Sequence, residues 1–295
     1  MEMAFNLGLT GYPLGHSLSP KIHTAALASC GLEGEYFLFP LPPDDLDGLK
    51  ALLARVRRGE LHGLNVTIPH KQAVIPLLDA LTPTAQAVGA VNTISIQNGH
   101  LTGDNTDAPG FLADLKRFMA ITKYQLPIAN RQSQIVNHKS ALVLGAGGSA
   151  RAIVYALVSD GWEVMVAARR LEQAKGLARR YAQNVSVLDF LHLSSFILHP
   201  SFLCIINTTP LGMSPRTDAS PWPAGLPFPP NAAVYDLVYN PRETQLVREA
   251  RAAGLPAVTG LGMLIEQAAL SFEIWTGCQP DRDVLFDTIG ATRPG

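Results

Sequence analysis

A glycine-rich turn between an apolar strand and an apolar helix constrains the fold of this chain most strongly. The run Ser140–Leu144 predicts a short buried strand, and an apolar helix to Ser159 follows the turn. The six residues of the turn are Gly145, Ala146, Gly147, Gly148, Ser149 and Ala150. In this G-x-G-x-x-A pattern the first glycine permits a tight turn, the second lets backbone amides approach a pyrophosphate, and the alanine keeps helix and strand close. The pattern therefore predicts a Rossmann-type domain that binds a dinucleotide.

Two arginines follow the next predicted strand, Glu163–Ala168. Folds that prefer NAD usually place an acidic residue here, which binds the ribose 2′-hydroxyl. Arg169 and Arg170 suit a 2′-phosphate instead, because a guanidinium is planar, permanently charged and a bidentate donor. We therefore predict NADP as the cofactor. The alternative is two solvated arginines at a helix start, although cations are disfavoured at that end of a helix.

The N-terminal half alternates predicted strands with predicted helices. Strands are expected at 5–10, 35–41 and 61–68, and helices at 19–30, 44–58 and 70–80. Ser19 is expected to cap the first helix, with Pro20 at its first position. Two further strands, 91–97 and 100–103, flank Asn98-Gly99, which predicts a hairpin. Such alternation indicates an α/β fold with a mostly parallel sheet.

Polar side chains collect where two of these strands end. Asn65 and Thr67 alternate on one face of a strand that stops at Pro69, and Lys71 follows at the edge where α/β sheets bind ligands. Asp107 lies in the turn after the hairpin, and a carboxylate near an ammonium stays ionised. A lysine after a strand is ordinarily solvated, and Asn/Asp/Gly clusters ordinarily form turns, so a Lys71–Asp107 site depends on the remaining motifs.

The second half continues the strand–helix alternation. Strands are expected at 202–206, as the third of the second domain, and then at 232–238 and 256–259. Helices are expected at 109–119, 244–253, about 261–276 and 281–289. Residues 120–139 are polar and weakly patterned, which indicates an extended connection between domains.

Composition excludes several classes of partner. A net charge of −1 gives no electrostatic reason to expect nucleic acid or an anionic membrane. The sequence shows no signal peptide, no membrane-spanning run and no metal-ligand cluster, so we expect a cytoplasmic protein without a metal. Cys30, Cys204 and Cys278 are widely spaced and odd in number, which predicts three reduced thiols.

Eight sequence runs occur here in the order typical of one enzyme family. They are Gly11–Pro20, Asn65–Lys71, Gly89–Thr93, Gly103–Asp107, Gly145–Ala150, Asn207–Met213, Asp236–Pro241 and Gly260–Gln267. Through them the chain resembles shikimate dehydrogenase from end to end. The resemblance implies reversible, NADP-linked reduction of 3-dehydroshikimate to shikimate, on the route to chorismate and the aromatic amino acids.

The resemblance also implies an architecture. Residues 1–107 with 262–295 would form a mostly parallel α/β domain that binds substrate, and 108–261 a doubly wound Rossmann domain that binds NADP. Substrate and nicotinamide would meet in the cleft between them. The small molecules shikimate and 3-dehydroshikimate would be the partners, and both a monomer and a homodimer are open.

Residue roles carry over by position. Ser17 and Ser19 would hold the shikimate carboxylate, Tyr239 would help to close the site, and Lys71 and Asp107 would form the catalytic pair. The expected contacts to the rest of the substrate are Asn65, Thr67, Lys71, Asn92, Asp107 and Gln267. The expected cofactor contacts are the turn Gly145–Ala150 with Arg169, Arg170, Thr208, Val238, Gly260 and Met263.

Two departures and two alternatives accompany the resemblance. The family often has Asn-Arg-Thr where this chain has Ala168-Arg169-Arg170, and Gln173 replaces a later basic residue. The degree of NADP preference is therefore open, with Arg170 as a compensating cation. One alternative is a quinate/shikimate dehydrogenase with broader substrate and cofactor use; the other is a metabolite sensor without catalysis.

Overall fold

The computed structural model describes residues 4–122, 139–181, 184–193 and 203–291. The chain divides into two compact units: a first unit of Met1–Phe111 with Leu264–Arg293, and a second unit built on Leu112–Met263. The expected boundary after residue 107 lies at the first residue of a helix, whereas the contacts change within that helix, after Phe111.

Strands and helices alternate along most of the described chain. The strands are β1 (Phe5–Gly11), β2 (Gly34–Pro40), β3 (Gly63–Val66), β4 (Ala80–Leu81), β5 (Thr93–Gln97), β6 (His100–Asp104), β7 (Ser140–Leu144), β8 (Glu163–Ala168), β9 (Val185–Asp189), β10 (Cys204–Asn207), β11 (Ala233–Asp236) and β12 (Ala257–Thr259). The α-helices are α1 (Ser19–Ser29), α2 (Leu46–Arg57), α3 (Pro83–Val88), α4 (Asp107–Thr122), α5 (Gly148–Ser159), α6 (Leu171–Ala178), α7 (Gln245–Ala252), α8 (Leu261–Thr276) and α9 (Arg282–Thr288).

The sheet of the first unit has the order β2-β1-β3-β5-β6-β4. β1 pairs in parallel with β2 and β3, whereas β5 runs antiparallel to β3 and β6. The predicted hairpin is confirmed, because Asn98 and Gly99 adopt φ values of 51° and 78°, the left-handed geometry of a two-residue hairpin turn. Buried Leu64 and Ile94 of this sheet belong to a core cluster with Leu49 and Val56 of α2.

The sheet of the second unit is wholly parallel, with the order β12-β11-β10-β7-β8-β9. Counted from β7, this is the strand order 3-2-1-4-5-6 of a doubly wound dinucleotide-binding fold. β7 and β8 have the predicted bounds. The sequence prediction missed β9, whose short alternating run Val185–Asp189 forms one edge of the sheet. Consequently the expected third strand is the fourth, β10, and Phe202 lies outside the described residues.

Two local predictions in the first unit were wrong. Residues 70–79 form turns and a 3-10 helix, Ile75–Leu77, before β4 begins at Ala80. They do not form an α-helix, because Pro76 cannot donate to an α-helical ladder. Ser19 is the first residue of α1 rather than its cap. The Ser17 hydroxyl, two residues earlier, accepts a hydrogen bond from the Ser19 amide at 3.2 Å, which is the local geometry that serine favours in turns.

The cysteine prediction was also wrong. Cys30, directly after α1, and Cys278, two residues after α8, form a disulfide although 248 positions separate them in sequence. α1 packs against α9, which follows Cys278. The fold therefore brings together two cysteines whose spacing in the sequence did not indicate a disulfide. Only Cys204 is a free thiol, and burial raises its pKa to about 12.

Two further expectations concern the connection at 120–139 and the absence of a membrane-spanning helix. The predicted connection 120–139 begins with the last three residues of α4, and 123–138 lie outside the described residues. Among the helices that the structure describes, none is long and apolar enough to cross a membrane.

Candidate active site

Several of the polar residues that the sequence singled out lie at the end of the first sheet where β3 and β6 stop and β5 begins. We call this region the active-site edge. β5 runs antiparallel to its neighbours and pairs Thr93 with Asn65 of β3 and with Asp104 of β6. The end of β3, the start of β5 and the end of β6 therefore lie side by side. Asn92 directly precedes β5, and Asp107 begins α4 three residues after β6.

Lys71 and Asp107 form a shielded ion pair at this edge. The Lys71 Nζ atom lies 2.5 Å from Asp107 Oδ2, and the two side chains are only 11% and 7% exposed. An ion pair screened from water in this way is electrostatically stronger than one on the surface. The pair that the sequence predicted is thus formed, with an ammonium in contact with a carboxylate.

Asn92 connects this pair to α8. Its Nδ2 atom donates to Asp107 Oδ1 at 3.1 Å and to Gln267 Oε1 at 3.2 Å. Its Oδ1 atom accepts from the Thr106 amide at 2.7 Å. Gln267 has a second partner, since its Nε2 atom also donates to the Leu264 carbonyl at 2.8 Å. Asn92 is only 2% exposed, so its orientation is fixed by these bonds.

Asn65 is held entirely by protein groups. Its Nδ2 atom donates to the Asn92 carbonyl and to Ser271 Oγ, both at 3.0 Å. Its Oδ1 atom accepts from the Tyr36 hydroxyl at 2.8 Å. Both amide hydrogens are therefore used within the protein, which suits Asn65 to orienting its neighbours.

Three of the remaining predicted substrate contacts, Ser17, Ser19 and Thr67, lie in the first unit. Ser17 and Ser19 are linked by the hydrogen bond at the start of α1, and Ser19 is 7% exposed. Thr67 follows β3 and donates its amide to the Thr10 carbonyl at 2.8 Å. Tyr239 belongs to the second unit, three residues after β11, and burial raises the pKa of its phenol.

Sequence reasoning missed the buried hydroxyls that complete this network. Thr93, Thr106 and Ser271 lie within 3.2 Å of one another through their hydroxyl oxygens. Ser271 lies four residues, about one helical turn, after Gln267 on α8. This spacing could have predicted that the two side chains lie on the same face of the helix. Tyr36 on the edge strand β2 carried no comparable signal.

The glycine-rich turn has the geometry that a dinucleotide phosphate requires. Gly145 has φ +110°, and a side chain there would meet Thr208 Oγ1 at 2.7 Å, so only glycine fits. Gly147 is exposed, and a side chain added to it would meet no atom within 4 Å. No side chain caps the first turn of α5. Free amides, a helix dipole and open space together form an anion site, so these residues fit the diphosphate of NADP.

The two arginines stand at the carboxyl edge of the second sheet. Ala168, the last residue of β8, is buried, whereas Arg169 and Arg170 are exposed before α6 begins. This position is where the fold holds the adenosine ribose, and two guanidiniums there favour a 2′-phosphate.

The arginine interpretation predicts a cofactor-specific effect. Replacing Arg169 and Arg170 together with alanine should raise the KM for NADP by about tenfold or more, through lost charge-assisted hydrogen bonds, and leave the KM for NAD unchanged. Steady-state kinetics with both cofactors measure this. The matched control is Arg179→Ala, which removes an exposed arginine beyond the far end of α6. Equal changes for NADP and NAD, or no change for either, would contradict the assignment.

Asp236 orders the loop after β11 that carries Val238, one of the other predicted cofactor residues. It is fully buried at the end of β11 and accepts hydrogen bonds from Asn207 Nδ2 at 2.8 Å, the Val238 amide at 3.0 Å and Thr244 Oγ1 at 2.6 Å. Burial nevertheless raises its pKa to about 6. Gly260 packs against the backbone of Leu237 in the same loop, and Met263 is 8% exposed.

The raised pKa of Asp236 predicts a pH-dependent loss of stability. The unfolded carboxyl titrates near 3.8 and the folded one near 6, so its stabilising contribution is complete below pH 3.8 and is lost as the pH rises through 6. Asp236→Asn does not ionise, so its free energy of unfolding should rise relative to that of the wild type by about 2 kcal/mol between pH 4 and 7. Urea unfolding of both proteins across this range measures the difference. A difference that stays constant with pH would refute the prediction.

No cluster of three or more His, Cys, Asp or Glu side chains that could hold a metal ion occurs in the described ranges.

Comparison with known proteins gives one consistent result. Three family models match: the shikimate dehydrogenase substrate binding domain at residues 9–94, shikimate/quinate 5-dehydrogenase at 127–208, and the shikimate 5′-dehydrogenase C-terminal domain at 260–285. The NADP(+)-dependent shikimate dehydrogenase of Salinibacter ruber is 40% identical over 290 residues, which are 96% of each chain.

Solved structures agree with this match. Shikimate 5-dehydrogenase of Thermus thermophilus, in complex with NADP(H) and shikimate, has a TM-score of 0.79 and 39% identity, covering 96% of this chain and 98% of its own. Quinate dehydrogenase of Corynebacterium glutamicum, in complex with NAD, has a TM-score of 0.79 and 32% identity, covering 97% and 98%. Identity at this level over nearly the whole length, together with the fold, shows that the chain belongs to the NADP-dependent shikimate dehydrogenase family of oxidoreductases.

Proposed function

We propose that this chain catalyses the reversible reduction of 3-dehydroshikimate to shikimate with NADP, in the biosynthesis of chorismate and the aromatic amino acids. The observation that carries the proposal is the shielded Lys71–Asp107 pair, held by Asn92 at the edge of the first sheet. An ammonium at this position suits a reaction in which negative charge develops on an oxygen.

NADPH supplies the hydride that converts the ketone carbon to an alcohol carbon. As the carbonyl oxygen gains negative charge, the Lys71 ammonium stabilises it and donates a proton to it. In the reverse direction the neutral amine takes the proton from the hydroxyl. Asp107 holds the amine through Oδ2 and is itself oriented by Asn92, so the proton donor is in place before charge develops.

The remaining roles follow the family motifs. Ser17 and Ser19 bind the substrate carboxylate at the start of α1, and Tyr239 is a further substrate contact. Thr67, Asn92, Asp107 and Gln267 bind ring hydroxyls. In the second unit the diphosphate binds at the amino end of α5, beside Thr208, and Arg169 and Arg170 bind the 2′-phosphate, while Val238, Gly260 and Met263 line the cofactor site.

A quinate dehydrogenase is the second candidate, because a quinate dehydrogenase with NAD is among the similar structures at 32% identity. Quinate carries an extra hydroxyl at the carbon that bears the carboxylate, which would approach Ser17 and Ser19. The retention of both serines, and of two arginines where NAD enzymes have an acid, favours shikimate and NADP.

The deciding experiment follows nicotinamide absorbance with purified protein and all four pairings of shikimate or quinate with NADP or NAD. We expect strong preference for shikimate with NADP. Comparable turnover of quinate or of NAD would transfer the protein to the broader relative. No turnover in any pairing would favour a metabolite sensor.

We further propose a cytoplasmic location, since the reaction depends on the NADPH of biosynthesis. Its partners are the small molecules of the reaction, without nucleic acid or a membrane. Light scattering of the full chain distinguishes a monomer from a homodimer.

A further inference from the structure

A buried histidine to which the family motifs assign no role lies close to the active-site edge. His23, on the inward face of α1, is 1% exposed. Burial lowers its pKa to about 3, so the ring is neutral near pH 7. Asn65 opposes this shift, but neither ring nitrogen has a hydrogen-bond partner among the described residues. Polar atoms so deeply buried are rarely left unpaired, so an interaction other than hydrogen bonding must hold this ring in place.

The ring of His23 is fixed by aromatic packing instead. It stacks on Tyr36 with centroids 4.3 Å apart and planes 2° from parallel. Trp275 and Phe272 of α8 lie at 5.4 Å and 6.3 Å on tilted planes. The imidazole thus serves as a flat spacer between α1, β2 and α8, and its fixed plane fixes the plane of the tyrosine.

Tyr36 connects the stacked ring to Asn65. Its hydroxyl donates to Asn65 Oδ1 at 2.8 Å. Burial raises the pKa of this phenol well above its usual range. Asn65 leads in turn through the Asn92 carbonyl to the end of the site proposed for the ring hydroxyls.

We propose that His23 and Tyr36 are positioning residues: the stacked pair holds Asn65, and through Asn65 also Asn92, in the orientation that binds substrate. This inference rests on the proposed function. It assigns to Tyr36 the hydrogen bond that sets the side-chain amide of Asn65, and to His23 a role that depends on ring shape and not on its nitrogens. Neither residue contacts the reacting atoms, so the effect falls on substrate binding.

The test compares variants that separate the hydrogen bond from the stack. Tyr36→Phe keeps the ring and removes the hydroxyl, so the KM for shikimate should rise about five- to tenfold while kcat stays within about twofold. His23→Ala removes the stacking partner and should raise the same KM. His23→Phe restores a flat ring without nitrogens, so it should return the KM to within about twofold of the wild type and preserve the melting temperature, because no hydrogen bond is lost.

A matched control lies in the second unit. Trp222 stacks on Phe228 with centroids 4.7 Å apart and planes at 9°, and its Nε1 atom donates to the Leu226 carbonyl at 2.9 Å. Trp222→Phe therefore removes a buried hydrogen bond from a stacked ring, as Tyr36→Phe does. It should lower the melting temperature and leave the KM for shikimate unchanged.

The possible results distinguish a failure of this inference from a failure of the proposed function. If the wild type turns over shikimate with NADP but Tyr36→Phe changes only the melting temperature, the inference is overturned and the function stands. If Tyr36→Phe does not fold, the His23 pair decides, and a KM raised equally in His23→Ala and His23→Phe overturns the role of the stack. If the wild type does not turn over shikimate, both proposals fall.

Discussion

Replacing Lys71 with alanine is expected to lower kcat by a factor of about 10²–10⁴ and to leave the KM for shikimate within about threefold. The amine is needed most when charge develops on the substrate oxygen, so its loss destabilises the transition state more than the bound ground state. Steady-state kinetics in the oxidative direction measure both constants. A kcat within threefold of the wild type would exclude Lys71 as the proton donor.

Two further variants separate proton donation from charge and from general damage. Lys71→Arg keeps a cation beside Asp107, but a guanidinium does not release its proton near pH 7, so kcat should stay low. Full activity in this variant would mean that positive charge alone suffices. Lys50→Ala removes a lysine whose ion pair with Asp47 is exposed on α2, and it should leave both constants unchanged.

Local sequence patterns located those parts of the fold that local physics determines. β7 and β8 were predicted to the residue because short apolar runs there are bounded by turn residues. The same reasoning failed at Pro76, where an apolar pattern outweighed a residue that excludes an α-helix. It failed again at β9, where five residues of weak alternation gave too short a signal.

The active-site edge was predictable only in part, because some of its hydrogen bonds join residues that are far apart in the sequence. Lys71 and Asp107 stand at strand ends, so an α/β fold places them near each other before any contact is known. The hydrogen bond from Asn65 to Ser271 spans 206 residues and depends on where α8 packs. The stack of His23 on Tyr36 depends likewise on tertiary packing, as does the disulfide of Cys30. No periodicity in the sequence encodes such pairs.

Replacing Asp107 with asparagine is expected to lower kcat/KM by a factor of about 10²–10³ although the side chain keeps its size. Asp107 accepts from two donors, Lys71 Nζ through Oδ2 and Asn92 Nδ2 through Oδ1. An amide offers only one acceptor atom in place of two. In either orientation its NH₂ group faces a donor, so one of the two bonds is lost and the amine or Asn92 moves.

Asp104 provides the matched control for this substitution. Asp104, three residues earlier, accepts from Thr82 Oγ1 and from the Asn105 amide, both at 2.6 Å and both through Oδ1. Asp104→Asn can keep both bonds, so activity should be preserved. Because Asp107 acts through the Lys71 amine, the double variant of Lys71→Ala with Asp107→Asn should have nearly the kcat of Lys71→Ala alone. If the two losses multiply instead, Asp107 acts on the substrate independently of Lys71, and the two residues are not a catalytic pair.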